Sequence, residues 1–305
     1  MECPGFEEDL NVIDTDSHEA WSKPHPLQET ELLHRSLVLG IRDFVAKLGL
    51  SKVHLGLSGG IDSAVVACLA VDALGPQNVS LIAMPGPYSA EMSLSLAEQL
   101  AKNLNVKFLK APIQDSYESV VKSLTPVFEL EDSISVVQEN IQSRLRGLFL
   151  MAYANKTNSL LLTTGNKSEY ATGYSTLYGD MCGGLAPLGD LLKHQVYELA
   201  EYYNKEHELI PKKIIDRPPT AVLRPNQKDQ DSLPAYADLD AAVVRLVEKC
   251  ALAKKPVEKW LLKKLVQTEF KRWQAPPILK VSAHAFGRGR RYPLAHKTFS
   301  SLKIK

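Results

Sequence analysis

Short apolar runs that alternate with amphipathic helical patterns constrain the fold of this chain most strongly. Strand-type runs lie at residues 52–57, 79–84, 106–109 and 160–163. Helical patterns separate them, and the longest spans residues 137–152. Strands that alternate with helices in this way pair in parallel and are covered on both faces. The pattern therefore predicts an α/β fold built on a doubly wound parallel sheet flanked by helices.

The ends of the chain differ from this central pattern. Residues 1–27 lack periodicity, so we expect an extended arm or linker there. Residues 28–305 are predicted to form one enzyme domain, with C-terminal helices near 239–249 and 257–270 and an irregular basic tail. The stretch 180–233 is richer in glycine, proline and polar residues, and it predicts loops and a mobile lid.

Composition and charge argue against several classes of protein. The chain is 45% hydrophobic and 23% charged, which is typical of a globular protein, and its net charge of +1 argues against a general nucleic-acid binder. No apolar run approaches the roughly 18 residues of a membrane span. The four cysteines lack CxxC spacing, so neither a zinc site nor a disulfide framework is expected. We expect a cytoplasmic protein that binds neither nucleic acid nor membranes.

The most informative segment joins the first strand to the next helix. Glycines at this position let a phosphate approach the backbone and the free N–H groups of the helix. Asp62 offers a hard oxygen ligand for Mg²⁺. The alternative is a tight turn in which Asp62 merely caps the helix. The segment is not a Walker A loop, and its residues are Ser58, Gly59, Gly60, Ile61, Asp62 and Ser63.

A second polar cluster, residues 163–180, follows the fourth strand. Polar side chains at the carboxyl end of a parallel strand face the crevice in which ligands lie. Glu169 is a candidate second carboxylate for Mg²⁺, since that ion prefers hard oxygen ligands. Taken alone, the cluster also fits a structural loop capped by Glu169 and Asp180.

These segments resemble the NAD synthetases, a family of ATP pyrophosphatases. The resemblance runs from about residue 6 to residue 297, and it includes motifs around Met84-Pro85, 139–146 and Pro219-Thr220. It implies an adenine nucleotide alpha hydrolase-like fold of the ATP pyrophosphatase type. It also implies amidation of deamido-NAD (nicotinic acid adenine dinucleotide) by ammonia, with ATP cleaved to AMP and pyrophosphate through an adenylated carboxylate.

The resemblance implies a role for each matching position. Positions that would bind ATP are Ser58, Gly59, Gly60, Ile61, Asp62, Ser63, Thr164, Lys193 and Thr220. Positions that would bind deamido-NAD are Asn140, Arg144, Glu169, Tyr174, Ser175, Thr176, Leu177, His296 and Lys297. Asp62 and Glu169 would lie near Mg²⁺, and the catalytic residues would be Asp180 and Lys193. At Leu177 the chain differs from stand-alone ammonia-dependent relatives, which have a lysine there, and agrees with the glutamine-dependent group.

The resemblance also implies partners. Residues 7–14 are similar to the linker that joins a glutaminase domain to the synthetase in two-domain relatives, so ammonia would be used free or supplied by a glutaminase domain or subunit. A homodimer is implied, and the helix at 137–152 is the candidate contact. On that helix Arg144 and Arg146 also fit solvated surface positions.

Two other functions remain open from the sequence. A tRNA-modifying enzyme of the same superfamily would be expected to have paired catalytic cysteines or an added basic domain, and neither is evident. A non-catalytic nucleotide-binding protein would be expected to lose its charged site residues, yet Asp62, Glu169, Asp180 and Lys193 are all present.

Overall fold

A parallel four-stranded sheet lies at the centre of the fold. The computed structural model describes residues 5–10, 12, 14, 16, 27–130, 134–220, 223–224 and 227–287. The strands are β1 Val53–Gly56, β2 Val79–Ala83, β3 Lys107–Lys110 and β4 Leu160–Leu161. Their order is β3-β2-β1-β4, and every neighbouring pair is parallel. The predicted doubly wound α/β fold is confirmed.

Helices cover both faces of this sheet and continue beyond it. In the described part of the chain they are α1 Glu29–Lys47, α2 Ile61–Leu74, α3 Glu91–Asn103, α4 Gln114–Phe128, α5 Val136–Thr157, α6 Lys167–Thr172, α7 Lys193–Tyr203, α8 Lys212–Asp216, α9 Tyr236–Val243, α10 Pro256–Gln267 and α11 Glu269–Arg272. A π-helical turn, Val244–Glu248, extends α9. None of the described helices has the length and hydropathy needed to cross a membrane.

The main core forms between the sheet and helices α1, α2 and α7. Helix α2 is apolar on nearly all sides, as expected for a helix enclosed by its neighbours. It packs against α1, α7 and β2. Strand β1 is buried along most of its length, which is typical of a central parallel strand.

The strand order places two chain segments side by side. From β1 the chain moves outward to β2 and β3, whereas β4 pairs with the other edge of β1. The carboxyl ends of β1 and β4 therefore flank a topological switch point, where ligands bind in open α/β sheets. Residues 58–63 and 163–180 leave the sheet at this point.

Buried charges fix α6 at the switch point. Lys167, at the start of α6, has no exposed surface. Its Nζ lies 2.9 Å from Asp190 Oδ1 and donates to Glu248 Oε1 at 2.7 Å and to Ser282 Oγ at 2.8 Å. A buried ammonium is stable only with such compensation. This cluster joins α6 to the C-terminal part of the described chain.

Two local predictions require correction. The expected strand at 160–163 forms a ladder with β1 only over Leu160–Leu161, and Leu162 forms an isolated parallel bridge with Leu185. The loops expected throughout 180–233 include helix α7, whose Val196, Leu199 and Ala200 are buried in the core. Its apolar stripe is short and lies beside glycine- and proline-rich segments, so composition over a long window concealed it.

Candidate active site

A cavity of about 290 Å³ opens at the switch point. Its walls come from the ends of β1, β2 and β4, the first turn of α2, helices α5 and α6, residues 174–182, residues 217–220, Leu223 and Asp229. The twelve predicted site residues in its wall are Ser58, Gly60, Ile61, Asp62, Ser63, Thr164, Glu169, Tyr174, Thr176, Asp180, Lys193 and Thr220. The fold thus brings together residues that are up to 162 positions apart, from 58 to 220.

The glycine turn between β1 and α2 is rigid. Gly59 has φ +76°, and a β-carbon there would lie 2.4 Å from the backbone oxygen of Ser93. Ser63 Oγ donates to the Gly60 carbonyl at 3.0 Å, and Ser58 Oγ accepts from Gly60 N at 3.2 Å. Gly60 supplies no side-chain cap to α2. The N–H groups of the first turn therefore lack a side-chain cap, which suits an anion.

An ion pair occupies the centre of the cavity wall. Lys193 Nζ lies 2.5 Å from Asp62 Oδ2 and 3.8 Å from Glu169 Oε1. Asn166 Nδ2 donates to Asp62 Oδ1 at 2.9 Å, and its side chain forms a reciprocal capping box with Glu169. Asp62 is thus bound to two side chains from α6 and α7, and it does not serve as the simple helix cap that the alternative interpretation required.

Burial and neighbouring charges shift the ionisation of this centre. Burial raises the pKa of Glu169 to about 8, with Asp62 adding repulsion and Lys193 opposing it. Burial lowers the pKa of Lys193, but Asp62 and Glu169 outweigh this effect, so the net shift is upward. The ammonium therefore stays charged while the carboxylates repel one another, and the cavity favours a further cation or a proton.

Asp229 adds a carboxylate that the sequence did not single out. It is 4% exposed and lines the cavity. Its Oδ2 accepts from Tyr236 OH at 2.8 Å, while Oδ1 has no partner among the described residues. Burial raises its pKa. Only tertiary contact reveals this position, because the preceding segment carries no strand or helix pattern.

Asp180 lies in the part of the cavity wall that comes after α6. Its Oδ1 accepts from Thr176 N at 2.6 Å, and its own N–H donates to Ser143 Oγ at 3.0 Å. Although the residue is exposed, partial desolvation of its carboxyl group by the cavity wall raises its pKa to about 6, and these hydrogen bonds and Lys271 oppose the shift. Thr176 Oγ1 in turn donates to Asn140 Oδ1 at 2.8 Å. The carboxylate is therefore held in place by α5 and its own loop.

Other predicted positions lie outside the cavity wall. Gly59 belongs to the glycine turn but does not line the cavity, and Ser175 Oγ donates to Met181 Sδ at 3.3 Å. Arg144 is exposed and donates from Nε to the Leu177 carbonyl at 3.2 Å. Asn140 is linked to the cavity wall by its hydrogen bond with Thr176, and His296 and Lys297 lie outside the described residues.

Two arginines are part of the wall. Arg146 donates from Nε to the Met84 carbonyl at 3.1 Å, and burial lowers its pKa to about 10. The solvated interpretation is thus wrong for Arg146 and fits Arg144. Arg217 follows α8 and donates from Nη1 to Ser93 Oγ at 2.7 Å. The sequence motif around residue 146 pointed to Arg146, whereas nothing in the sequence pointed to Arg217.

The strand order, the glycine turn and the charged residues at the switch point define an α/β fold of the ATP pyrophosphatase type. A family model described as NAD synthase matches residues 33–275. The chain therefore belongs to the NAD synthase family.

Comparison with individual proteins agrees with this assignment. The chain is 46% identical over 305 residues to the glutamine-dependent NAD(+) synthetase of Synechocystis sp., an alignment that covers 96% of this chain and 54% of that relative. The glutamine-dependent NAD+ synthetase of Acinetobacter baumannii, solved with ADP, is 37% identical with a TM-score of 0.63 and covers 90% of this chain and 51% of that one. The NMN synthetase of Francisella tularensis is 29% identical, with a TM-score of 0.71 and coverage of 80% and 96%. The chain spans about half the length of the glutamine-dependent relatives.

Substitution of the two glycines in the turn should have unequal effects. Gly59→Ala forces a β-carbon into the Ser93 backbone at positive φ, so we expect a loss of about 1–3 kcal/mol of unfolding free energy and weaker nucleotide binding. Gly60→Ala is the control, since its φ is −99° and its nearest contact is Ser58 Oγ at 3.3 Å. Thermal denaturation of both variants measures the difference, and equal melting temperatures would contradict the assigned strain.

Proposed function

We propose that this chain catalyses the ATP-dependent amidation of deamido-NAD by ammonia, forming NAD, AMP and pyrophosphate through an adenylated carboxylate. The observation that carries the proposal is the placement of Lys193, Asp62 and Glu169 beside an uncapped helix start, with Asp180 in the same cavity wall. Family membership supports the same reaction.

The chemistry requires activation of a carboxylate. Ammonia does not displace a carboxylate oxygen unless that oxygen becomes a good leaving group, and transfer of AMP achieves this. Negative charge then grows on the α-phosphate and on the departing pyrophosphate. Lys193 and the N–H groups at the start of α2 would stabilise that charge, and each such contact contributes about 3 kcal/mol to lowering a barrier.

The same centre suits Mg²⁺. We propose that Asp62 and Glu169 hold it, because both offer hard oxygen ligands on one wall. Burial, and to a lesser degree repulsion from Asp62, raises the pKa of Glu169, and a bound cation would relieve that repulsion. In the described part of the chain no group of three or more side chains forms a metal site, so phosphate and water oxygens would complete the coordination. Bound Mg²⁺ would neutralise charge on the phosphates.

Asp180 suits the second half of the reaction. An ammonium ion must lose a proton before it attacks the adenylate, and a fixed carboxylate can bind the cation and accept that proton. Tyr174 and Thr176 line the cavity near Asp180, so we propose that the nicotinate end of the substrate binds there. Two of the relatives are named glutamine-dependent, which supports a glutaminase domain or subunit as the source of ammonia.

Product analysis tests the proposal. The chain is incubated with ATP, Mg²⁺, ammonium chloride and deamido-NAD, with nicotinic acid mononucleotide offered in a parallel reaction because one structural neighbour is an NMN synthetase. We expect NAD and AMP in equal amounts and preference for the dinucleotide. Formation of ADP, or ATP binding without any amide product, would contradict the proposal.

Replacement of Asp180 should separate amidation from nucleotide binding. We expect Asp180→Ala to lower amide formation by about 10²–10⁴-fold, since it removes the proton acceptor, while ATP affinity is retained. In the unsubstituted chain the rate with ammonia should fall as the pH drops below about 6, because Asp180 becomes protonated there. Asp238→Ala, at an exposed position on α9, is the control. Unchanged amidation in Asp180→Ala would show that another group accepts the proton.

We also propose that the chain forms a homodimer through α5. Val137, Leu148 and Met151 are 46%, 61% and 40% exposed, and their spacing places them on one face of the helix. An apolar helix face of this kind is typical of an interface.

A charge on this face should disrupt the dimer. We expect the unsubstituted chain to sediment at twice its monomer mass and Leu148→Glu to shift toward the monomer. Leu252→Glu is the control, because Leu252 is 82% exposed outside this helix. A fully active monomer in sedimentation experiments would exclude this interface.

A further inference from the structure

The two arginines in the cavity wall, unlike Lys193, lack a neighbouring carboxylate among the described residues. Lys193 is paired with Asp62, whereas neither Arg146 nor Arg217 has a carboxylate within 4.0 Å among the described residues. Burial lowers the pKa of both guanidinium groups, and no carboxylate opposes that shift. A partly desolvated cation without a counter-charge is costly, so each group favours an anionic ligand.

Arg217 lies beside the glycine turn. Its Nη1 donates to Ser93 Oγ, and the Ser93 backbone oxygen packs against Gly59 so closely that a β-carbon on the glycine would be 2.4 Å away. Ser93 links the guanidinium to the turn directly. Within the described residues Ser93 Oγ is the single acceptor for this group, so further N–H donors remain for a ligand.

We propose that Arg217 binds the terminal phosphates of the nucleotide, facing the N–H groups at the start of α2. The inference rests on the proposed function and adds to it a residue that holds the leaving pyrophosphate. A guanidinium binds phosphate oxygens through two parallel hydrogen bonds, and it keeps its charge throughout the reaction. Arg217 thereby stabilises the negative charge that develops as the bond between the α- and β-phosphates breaks.

Arg224 offers a matched control on the same segment. Its guanidinium lies 3.5 Å from Glu139 Oε1 and 3.2 Å from Asp231 Oδ2, so its charge is already compensated. Ser93→Ala supplies a second control, because it removes the internal hydrogen bond of Arg217 and leaves the guanidinium in place. If Arg217 served only to attach residues 217–220 to α3, Ser93→Ala and Arg217→Gln would have similar effects.

Calorimetric titration with ATP and with AMP, in the presence of Mg²⁺, tests the proposal. We expect Arg217→Gln to weaken ATP binding by about 10–100-fold, the range for a lost hydrogen bond to a charged group. AMP lacks the terminal phosphates, so its affinity should change little. Arg224→Gln and Ser93→Ala should bind ATP nearly as tightly as the unsubstituted chain. Melting temperatures confirm that each variant is folded.

The outcomes separate this inference from the proposed function. Equal ATP affinity in Arg217→Gln and Arg224→Gln overturns the inference, as does an equal loss for ATP and AMP or an equal loss in Ser93→Ala. In those cases the product assay on the unsubstituted chain still tests the proposed function independently. A selective loss of ATP binding in Arg217→Gln, in a chain that forms no NAD, would support the phosphate site and contradict the proposed reaction.

Discussion

The ion pair between Lys193 and Asp62 joins the two parts of the chain on which the site depends. Asp62 follows β1 and Lys193 begins α7, 131 residues later. Burying such a pair has a desolvation cost that good geometry must offset. The structure supplies that geometry through Asp240, which accepts from Ser168 Oγ at 2.5 Å and from His194 N at 3.0 Å. The starts of α6 and α7 are thus held by one buried carboxylate.

This arrangement explains why the charges of the cavity are unevenly distributed. Carboxylates gather around Lys193, whereas Arg146 and Arg217 have no carboxylate within 4.0 Å in the part of the chain that the structure describes. A magnesium nucleotide has the complementary distribution, since its cation suits the carboxylates and its phosphates suit the guanidinium and N–H groups. The cavity therefore matches one ligand that carries both charges, which a purely structural cluster would not require.

Local signals in the sequence located much of the fold and part of the site. The glycine turn and the helix that follows it, α2, were predictable because hydrophobic periodicity and glycine conformation act over a few residues. Arg144 and Arg146 show the limit of such signals. Two positions apart on α5, they point to different sides of the helix, and only packing decides that one is exposed and the other lines the cavity. Asp229 and Arg217 reach the site through tertiary contacts, so no local pattern could reveal them.

The most direct test of the account is the path of the substrate's carboxylate oxygen. Deamido-NAD labelled with ¹⁸O in both oxygens of its nicotinate carboxylate is converted in the presence of ammonia. The masses of the products are then measured by mass spectrometry. Adenylation at the switch point predicts AMP that carries a single ¹⁸O atom, with the other retained in the amide of NAD. Label in inorganic phosphate, or AMP without label, would contradict the account.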